Sequence, residues 1–210
     1  PLELIEGFAM DARGTRYDTR AALLLYCHRV AGVVGLMMAH VLGVKRDEAL
    51  RNAAHLGIAM QLTNIARDVA EDWERGRIYV PDELLGAFRG VAPRGKLPAD
   101  LRPLLAVAIR TLLADADGFY RSGARGMRAL PWRASVAIRT ARRVYQDIGR
   151  VLATRGYDVL AGRAVVSHGR KVWLAVRAFV ESWVELPLRL LGRGRARPPE
   201  QLITFDEVMR

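Results

Sequence analysis

The sequence predicts an all-α fold, and three observations lead to that prediction. Alanine, leucine and arginine are abundant, whereas clusters of β-branched and aromatic residues are sparse. Apolar residues recur at helical spacing in several long stretches, and no segment alternates convincingly with the period of a strand. The 210 residues, of which 51% are hydrophobic and 26% charged, are enough for one globular domain with its own core.

The first two elements are predicted to be helical. We expect residues 2–10 to be the end of a helix and residues 11–19 to be a polar connection. The next stretch, residues 19–44, is apolar enough to be mistaken for a membrane span, but the arginines and histidines inside it favour a buried core helix. Gly32 and Gly35 give this helix one smooth side, which allows another helix to approach closely.

The next helix is predicted from Asp47 to Asp72, with Asp47 as its N-cap and Gly76 just beyond its end. Pro81 then fixes an extended piece, and Asp82 is predicted to cap a short helix.

The second half of the chain is also predicted to be helical. Glycine, proline and charged residues are dense in residues 86–103, which we expect to be a surface loop. The predicted organisation is a single helical domain over residues 1–191, followed by a flexible basic tail over residues 192–210. The later helices are predicted at about 99–126, 131–155 and 166–191.

The charge is unevenly placed. Residues 1–120 carry 15 basic and 15 acidic side chains, whereas residues 121–210 carry 18 against 7 and supply the whole net charge of +11. Nucleic acid, anionic lipid or a polyanionic small substrate could each explain such an excess, and so could solvated arginine-rich helix faces. No stacking aromatics or recognition motif accompanies the arginines, so no nucleic-acid partner is predicted. The single Cys27 excludes an intrachain disulfide framework and fits a reducing cytoplasm.

The strongest functional signal is a stripe of polar side chains in the helix that ends near Asp72. Asp68 and Asp72 form a D-x-x-x-D pair, and Gln61 and Asn64 extend it backwards within an arc of roughly 80°. The flanking positions are apolar, so the stripe is expected on a buried face, where two unpaired carboxylates would be very costly. A hard cation such as Mg²⁺ would satisfy them. The alternative is a solvated face paired with neighbouring arginines.

These residues resemble a known family. Three segments are similar to those of the squalene/phytoene synthases: QLTNIARDVAEDWERGRIYVP, YCHRVAGVVGLMM and RRVYQDIG. Within that family, their sequences most resemble those of bacterial phytoene synthases. The resemblance extends to about residue 180. It implies an isoprenoid-synthase-type helical bundle around a central cavity, with two Asp-rich motifs on opposite walls that bind Mg²⁺ and the diphosphates of two prenyl substrates.

The resemblance assigns roles residue by residue. Asp68 and Asp72 match the second Asp-rich motif and would hold Mg²⁺, or alternatively Mn²⁺, with Asn64 in or near the metal shell. Tyr26 and the Gly32–Gly35 step match the cavity wall and a helix crossing, so their implied role is mostly shape. The remaining matches are predicted to line the site or to contact the diphosphates: Gln61, Arg67, Arg77, Tyr145 and Arg163.

The implied reaction joins two geranylgeranyl diphosphates head to head. Loss of one diphosphate gives an allylic cation, attack and proton loss give prephytoene diphosphate, and a second ionisation, rearrangement and proton loss give phytoene without NADPH. Dry apolar walls would protect the cations from water. Such lipid substrates also fit a cytoplasmic protein in peripheral contact with a membrane, for which residues 166–191 provide aromatic and basic side chains.

Alternatives remain open at this level. The chain does not begin with Met, and the resemblance places the first Asp-rich motif before Pro1. We therefore expect the N-terminal helices to be missing, with an active full-length protein and doubtful catalysis by this chain. The product could instead be squalene, hydroxysqualene or dehydrosqualene made from farnesyl diphosphate. A non-catalytic fragment that binds prenyl diphosphate or a membrane-protein partner, and a basic nucleic-acid-binding domain, are the other hypotheses.

Overall fold

The computed structural model describes residues 1–187, and all regular structure in that part of the chain is helical. The all-α prediction is thus confirmed for these residues. The predicted tail over 192–210 and the end of the last predicted helix lie outside the described residues. The α-helices are α1 Leu2–Ala12, α2 Arg20–Cys27, α3 Val33–Val41, α4 Asp47–Glu74, α5 Leu101–Arg125, α6 Trp132–Thr154 and α7 His168–Val184.

Helices α2 and α3 are two parts of one rod, joined by a π-helical turn over His28–Gly32. Thr19 caps the rod, because its hydroxyl accepts a hydrogen bond from the backbone N–H of Ala22. By length and composition the rod Arg20–Val41 could cross a membrane, a test that buried core helices also pass, and 39% of its most apolar stretch is buried. The α2 half is in the core, as predicted, whereas much of α3 lines a cavity.

The central helix is α4, which packs against α2, α3, α5 and α6. Its apolar flanks supply fully buried side chains such as Ile58 and Ala66. Two glycines set its distance from the rod. A Cβ on Gly35 would lie 2.3 Å from the carbonyl oxygen of Ala53, and one on Gly57 would lie 2.2 Å from that of Ala31. The predicted close approach at Gly35 is therefore confirmed, and Gly57 is its counterpart on α4.

Two of the predicted caps are wrong. Helix α4 begins at Asp47 itself, and its N-cap position is Arg46, which makes no side-chain capping bond. Asp82 lies inside the short 3₁₀ helix Asp82–Leu84 and does not cap it. Its carboxylate instead binds Arg16 and accepts a hydrogen bond from the N–H of Gly90 at 3.2 Å. Asp82 therefore ties the α1–α2 connection to the loop that precedes α5, a contact that local spacing does not reveal.

Candidate functional site

The predicted polar stripe lies on one side of α4, with Gln61, Asn64, Asp68 and Asp72 all half-buried. The expected burial is therefore partial, because the neighbouring helices cover the flanks of the stripe and leave its outer edge accessible. The Nδ2 of Asn64 donates to Gln61 Oε1 at 3.4 Å. The Oδ1 of Asn64 is buried and has no hydrogen-bond partner, so an acceptor without a donor points into this part of the site.

Asp68 is the most strongly paired acid of the stripe. Arg67 Nε donates to its Oδ1 at 2.8 Å, and a second guanidinium nitrogen donates to its Oδ2 at 2.5 Å. Arg163, from the segment between α6 and α7, places its Nε 3.3 Å from Asp68 Oδ1 and 3.6 Å from Glu71. The structure therefore brings two of the three arginines predicted to bind diphosphate, Arg67 and Arg163, to the same carboxylate, where they would be available to oxygens of an incoming anion.

Asp72 has a different environment. Its carboxylate makes no hydrogen bond or ion pair within residues 1–187, although its backbone carbonyl accepts a hydrogen bond from the N–H of Arg77 at 2.8 Å. Burial, and then the negative charge of Asp68, raise its pKa to about 6, while Arg75 and Arg77 act in the opposite direction. A carboxylate held beside another carboxylate without a bonded cation is a candidate cation ligand, because a metal ion would relieve both effects.

The donor set of the stripe fits one side of a site for a hard cation. Asp68, Asp72 and the unpartnered Asn64 Oδ1 are all oxygen ligands, the type that Mg²⁺ prefers. Within the part of the chain that the structure describes, no group of three or more His, Cys, Asp or Glu side chains could hold a metal ion. These residues would therefore hold Mg²⁺ only together with other oxygens, such as those of a substrate diphosphate.

Tyr145 lies on α6, which packs directly against α4. It is half-buried against the hydrophobic core, and its phenol is close enough to Arg67 to contribute to the raised pKa of that guanidinium, of which the hydrogen bond to Asp68 is the largest cause. The structure therefore places Tyr145 within electrostatic reach of Arg67, and its implied contact with the diphosphate stays a prediction.

Tyr26 and Arg77 belong to a second cluster, which the sequence did not reveal. The Tyr26 hydroxyl donates to Asp11 at 3.0 Å, and the Tyr79 hydroxyl donates to the same Oδ1 at 2.8 Å. Arg77 is exposed and its guanidinium donates to Tyr79 at 3.5 Å. Asp11 was expected in a polar connection, but it lies in α1. No spacing rule finds this cluster, because its members lie on separate elements.

Burial raises the pKa of Tyr26, with Tyr79 and Asp11 adding to the effect. The ring is 3% exposed and stacks on Tyr79, with ring centroids 5.3 Å apart. Tyr26 is not among the residues that line the apolar cavity, and its implied role as part of a cavity wall stays a prediction. Its bond to Asp11 makes it a support for Tyr79 and Arg77.

An apolar cavity of about 280 Å³ opens next to the stripe. Apolar side chains from α3, α4, the 3₁₀ turn Gly126–Ala129 and α6 line it, among them Met38, Leu56 and Ile138. Its polar lining includes Gln61 and Asn64, the first two members of the stripe. Asp68 lies one helical turn beyond Asn64, about 6 Å along the axis of α4. An apolar chamber thus leads directly to the acidic and basic cluster.

Comparisons with known proteins show sequence similarity over most of the chain. Residues 1–170 match the family model described as squalene/phytoene synthase. The chain is 42% identical over 174 residues to a 15-cis-phytoene synthase of Enterobacter agglomerans, covering 83% of this chain and 59% of that protein. It is 37% identical over 204 residues to a phytoene synthase of Rhodobacter capsulatus, covering 96% of this chain and 60% of that protein. The chain thus spans about 60% of the length of these curated relatives.

Solved structures are similar in fold. A dehydrosqualene synthase superposes with a TM-score of 0.73 at 30% identity, covering 88% of this chain and 64% of that one. The squalene synthase HpnC of Alicyclobacillus acidocaldarius gives a TM-score of 0.65 at 28% identity, covering 75% of this chain and 59% of that one. The predicted isoprenoid-synthase-type helical fold is confirmed by these similarities.

Proposed function

The chain belongs to the squalene/phytoene synthase family, and on that basis we propose that it serves in the head-to-head condensation of two geranylgeranyl diphosphates to phytoene, a step of carotenoid synthesis. The observation that carries the chemistry is the continuity between the apolar cavity and the polar stripe of α4, which share Gln61 and Asn64, with Asp68 one helical turn further along the stripe. A long hydrocarbon with a diphosphate at one end needs that combination of surfaces. The similarity to phytoene synthases supports the choice of product.

The arginines act first in this proposal. Arg67 and Arg163 already contact Asp68 through planar guanidinium groups, which suit diphosphate oxygens. Their positive charges would stabilise the departing diphosphate, and Tyr145 would donate from the adjacent α6. Asp68, Asp72 and the Oδ1 of Asn64 would hold Mg²⁺, which supplies Lewis-acid neutralisation of the leaving group when bound.

The apolar cavity contributes by excluding water. Loss of diphosphate from an allylic substrate leaves a carbocation, which water would quench. Lining residues such as Leu56 and Ile138 have hydrocarbon side chains with no nucleophilic group. Each of the two stages releases one diphosphate and one proton. The conversion to phytoene involves no net reduction, so we propose that it requires no NADPH.

A squalene-type activity is the second candidate. The 30% identity to a dehydrosqualene synthase favours it, since that name indicates a related head-to-head product. A non-catalytic prenyl-diphosphate-binding role is the third, because the described residues supply the donors of one wall and no complete group of metal ligands. In all three cases we propose a cytoplasmic protein close to a membrane, since prenyl chains and their products partition into lipid.

The test is to incubate the full-length protein with geranylgeranyl or farnesyl diphosphate and Mg²⁺, with and without NADPH, and to identify the products. Phytoene formed without NADPH is the expected result. Squalene or dehydrosqualene from farnesyl diphosphate would assign the second candidate. Mg²⁺-dependent binding of inorganic diphosphate without turnover would assign the third. Steeply salt-dependent DNA binding, with no response to Mg²⁺ or diphosphate, would contradict all of them.

A further inference from the structure

The segment between α6 and α7, residues 155–167, is anchored to the bundle although it contains no helix or strand. Two of its apolar side chains, Val159 and Ala164, are 9% and 2% exposed and belong to the hydrophobic core. They lie on either side of Arg163, the side chain that reaches Asp68 from this segment. The backbone that carries Arg163 is therefore fixed to the bundle before and after it.

Arg155 binds the backbone of the same segment. Its Nη1 lies 3.4 Å from the carbonyl oxygen of Ala161, 3.1 Å from that of Gly162 and 3.5 Å from that of Arg163. Gly162 has a φ of +80°, a left-handed conformation that residues with a Cβ rarely adopt. The chain turns there, and three successive carbonyl groups meet one guanidinium nitrogen.

Asp158 fixes the start of this turn. Its Oδ1 accepts hydrogen bonds from the backbone N–H of Leu160 at 3.0 Å and from Arg102 Nε at 2.7 Å. A second guanidinium nitrogen of Arg102 donates to Oδ2. Because Arg102 lies in the first turn of α5, Asp158 ties the α6–α7 segment to a second helix of the bundle.

Arg163 benefits from such an anchored backbone. Its side chain is 51% exposed, and a long exposed side chain loses conformational freedom when it is held at one carboxylate or one ligand. If the backbone beneath it is already fixed, less freedom is lost when the ligand arrives, which is the general advantage of preorganisation.

We propose that Arg155 and Asp158 are positioning residues, which hold the backbone of residues 158–163 so that the Arg163 guanidinium faces the diphosphate site beside Asp68. This inference rests on the proposed function, in which Arg163 contacts the diphosphate. Both residues act through the backbone, Arg155 on carbonyl groups and Asp158 on an N–H group.

The charge of Asp158 separates positioning from simple electrostatics. Asp158 is negative, so electrostatic repulsion alone predicts that its removal strengthens the binding of an anion or leaves it unchanged. Positioning predicts weaker binding, because the loss of the hydrogen bonds with Leu160 and Arg102 releases the segment that carries Arg163. The two explanations therefore predict opposite effects of Asp158→Ala.

The first experiment measures the binding of inorganic diphosphate with Mg²⁺ to the full-length protein by isothermal titration calorimetry. Asp158→Ala and Arg155→Gln should each weaken this binding about tenfold, the contribution of one hydrogen bond to a charged group. Neither change should have a further effect in an Arg163→Gln background, because both act through that arginine. Asp100→Ala is the charge-matched control. Asp100 is exposed, directly precedes α5 and makes no side-chain capping bond, so diphosphate binding should be unchanged.

The second experiment observes Arg163 in the absence of any ligand and so does not depend on the proposed function. Nuclear magnetic resonance measures the exchange with water of the Arg163 Nε–H, which is assigned by its absence from Arg163→Gln. Exchange should be about fivefold faster in Asp158→Ala and in Arg155→Gln, because local opening of the segment exposes the ion pair with Asp68. Asp100→Ala should leave the rate unchanged, and circular dichroism should give equal helix content for all variants.

The outcomes distinguish the positioning role from the proposed function. Diphosphate affinity that Asp158→Ala raises or leaves unchanged would overturn the positioning role and leave the proposed function intact. A full-length protein that binds no diphosphate, but in which the Arg163 Nε–H exchanges faster in both variants, would contradict the proposed function alone. Losses of affinity that persist in the Arg163→Gln background would also overturn the positioning role, because they would not act through Arg163.

Discussion

Arg163 and Asp68 form an ion pair between the segment that follows α6 and the C-terminal part of α4, with Nε and Oδ1 3.3 Å apart. The pair closes the charged cluster at the end of the apolar cavity, because Arg67 binds the same carboxylate from its own helix. Asp68 thus belongs to the proposed cation ligands and also contacts the two arginines that are proposed to bind diphosphate.

The first prediction concerns Asp68. Asp68→Asn should lower turnover of prenyl diphosphate by at least a hundredfold, because the amide neither holds Mg²⁺ well nor orients Arg67 and Arg163. Product formation under saturating Mg²⁺ measures the effect. Glu71→Gln is the matched control, since Glu71 also contacts Arg163, at 3.6 Å, but lies off the stripe. It should retain turnover within about threefold, and equal losses in the two variants would contradict the assignment of the metal to Asp68.

The second prediction is a pH dependence of stability that arises from Asp72. Its pKa is raised to about 6 in the folded protein, so folding favours the protonated carboxyl. The stabilisation that the protonated Asp72 carboxyl contributes is complete below about pH 4, the pKa of an aspartate in the unfolded chain. It is lost as the pH rises through 6. Asp72→Asn should therefore gain about 1–2 kcal/mol relative to the unchanged chain between pH 4 and pH 7, after allowance for solvent screening.

Thermal or urea unfolding at several pH values, without divalent cations, measures this difference. A difference between the two proteins that does not change with pH would show that Asp72 titrates normally.

The third prediction concerns the contact between α4 and the rod. Gly57→Ala should destabilise the fold by about 2–4 kcal/mol, because the added Cβ would lie 2.2 Å from the backbone carbonyl oxygen of Ala31, which has no rotamer by which to move away. Gly169→Ala is the control, since nothing lies within 4 Å of a Cβ there, and it should be neutral or slightly stabilising. Urea denaturation provides the measurement, and equal midpoints for the two variants would show that the rod moves freely relative to α4.

The fourth prediction concerns Asp11, which the sequence placed outside the site. Asp11→Ala removes the common acceptor of the Tyr26 and Tyr79 hydroxyls and should cost about 1–3 kcal/mol of stability. It should also reduce turnover by several-fold, because Tyr79 no longer positions Arg77. Asp18→Asn is the control: Asp18 is largely exposed and its pair with Arg89 is long, at 3.8 Å.

Chemical denaturation and steady-state kinetics together test the Asp11 prediction. The Asp18 variant should differ by less than about 0.5 kcal/mol and keep full activity. A loss of stability by Asp11→Ala without any change in KM or kcat would restrict the cluster to a structural role.

Local patterns in the sequence were enough to predict most of the helices and the polar stripe. The existence of the helices follows from apolar spacing, since a repeat near 3.6 residues puts one face against the core. The alignment of Gln61, Asn64, Asp68 and Asp72 follows from the same geometry, and the structure retains it along α4. Helix boundaries were less secure, as Asp47 and Asp82 show, because a capping residue and a first-turn residue are chemically alike.

The sequence by itself thus determined that the chain is helical, that it carries a polar stripe beside apolar walls, and which family it resembles. Only the tertiary structure decided that Asp68 binds Arg163, that Asp11 joins Tyr26 to Tyr79, and that Arg155 binds the backbone beside Arg163. The physical reason is the distance along the chain over which each effect acts. Helical periodicity acts over a few residues, whereas these contacts depend on how glycines such as Gly35 and Gly57 let whole helices approach one another.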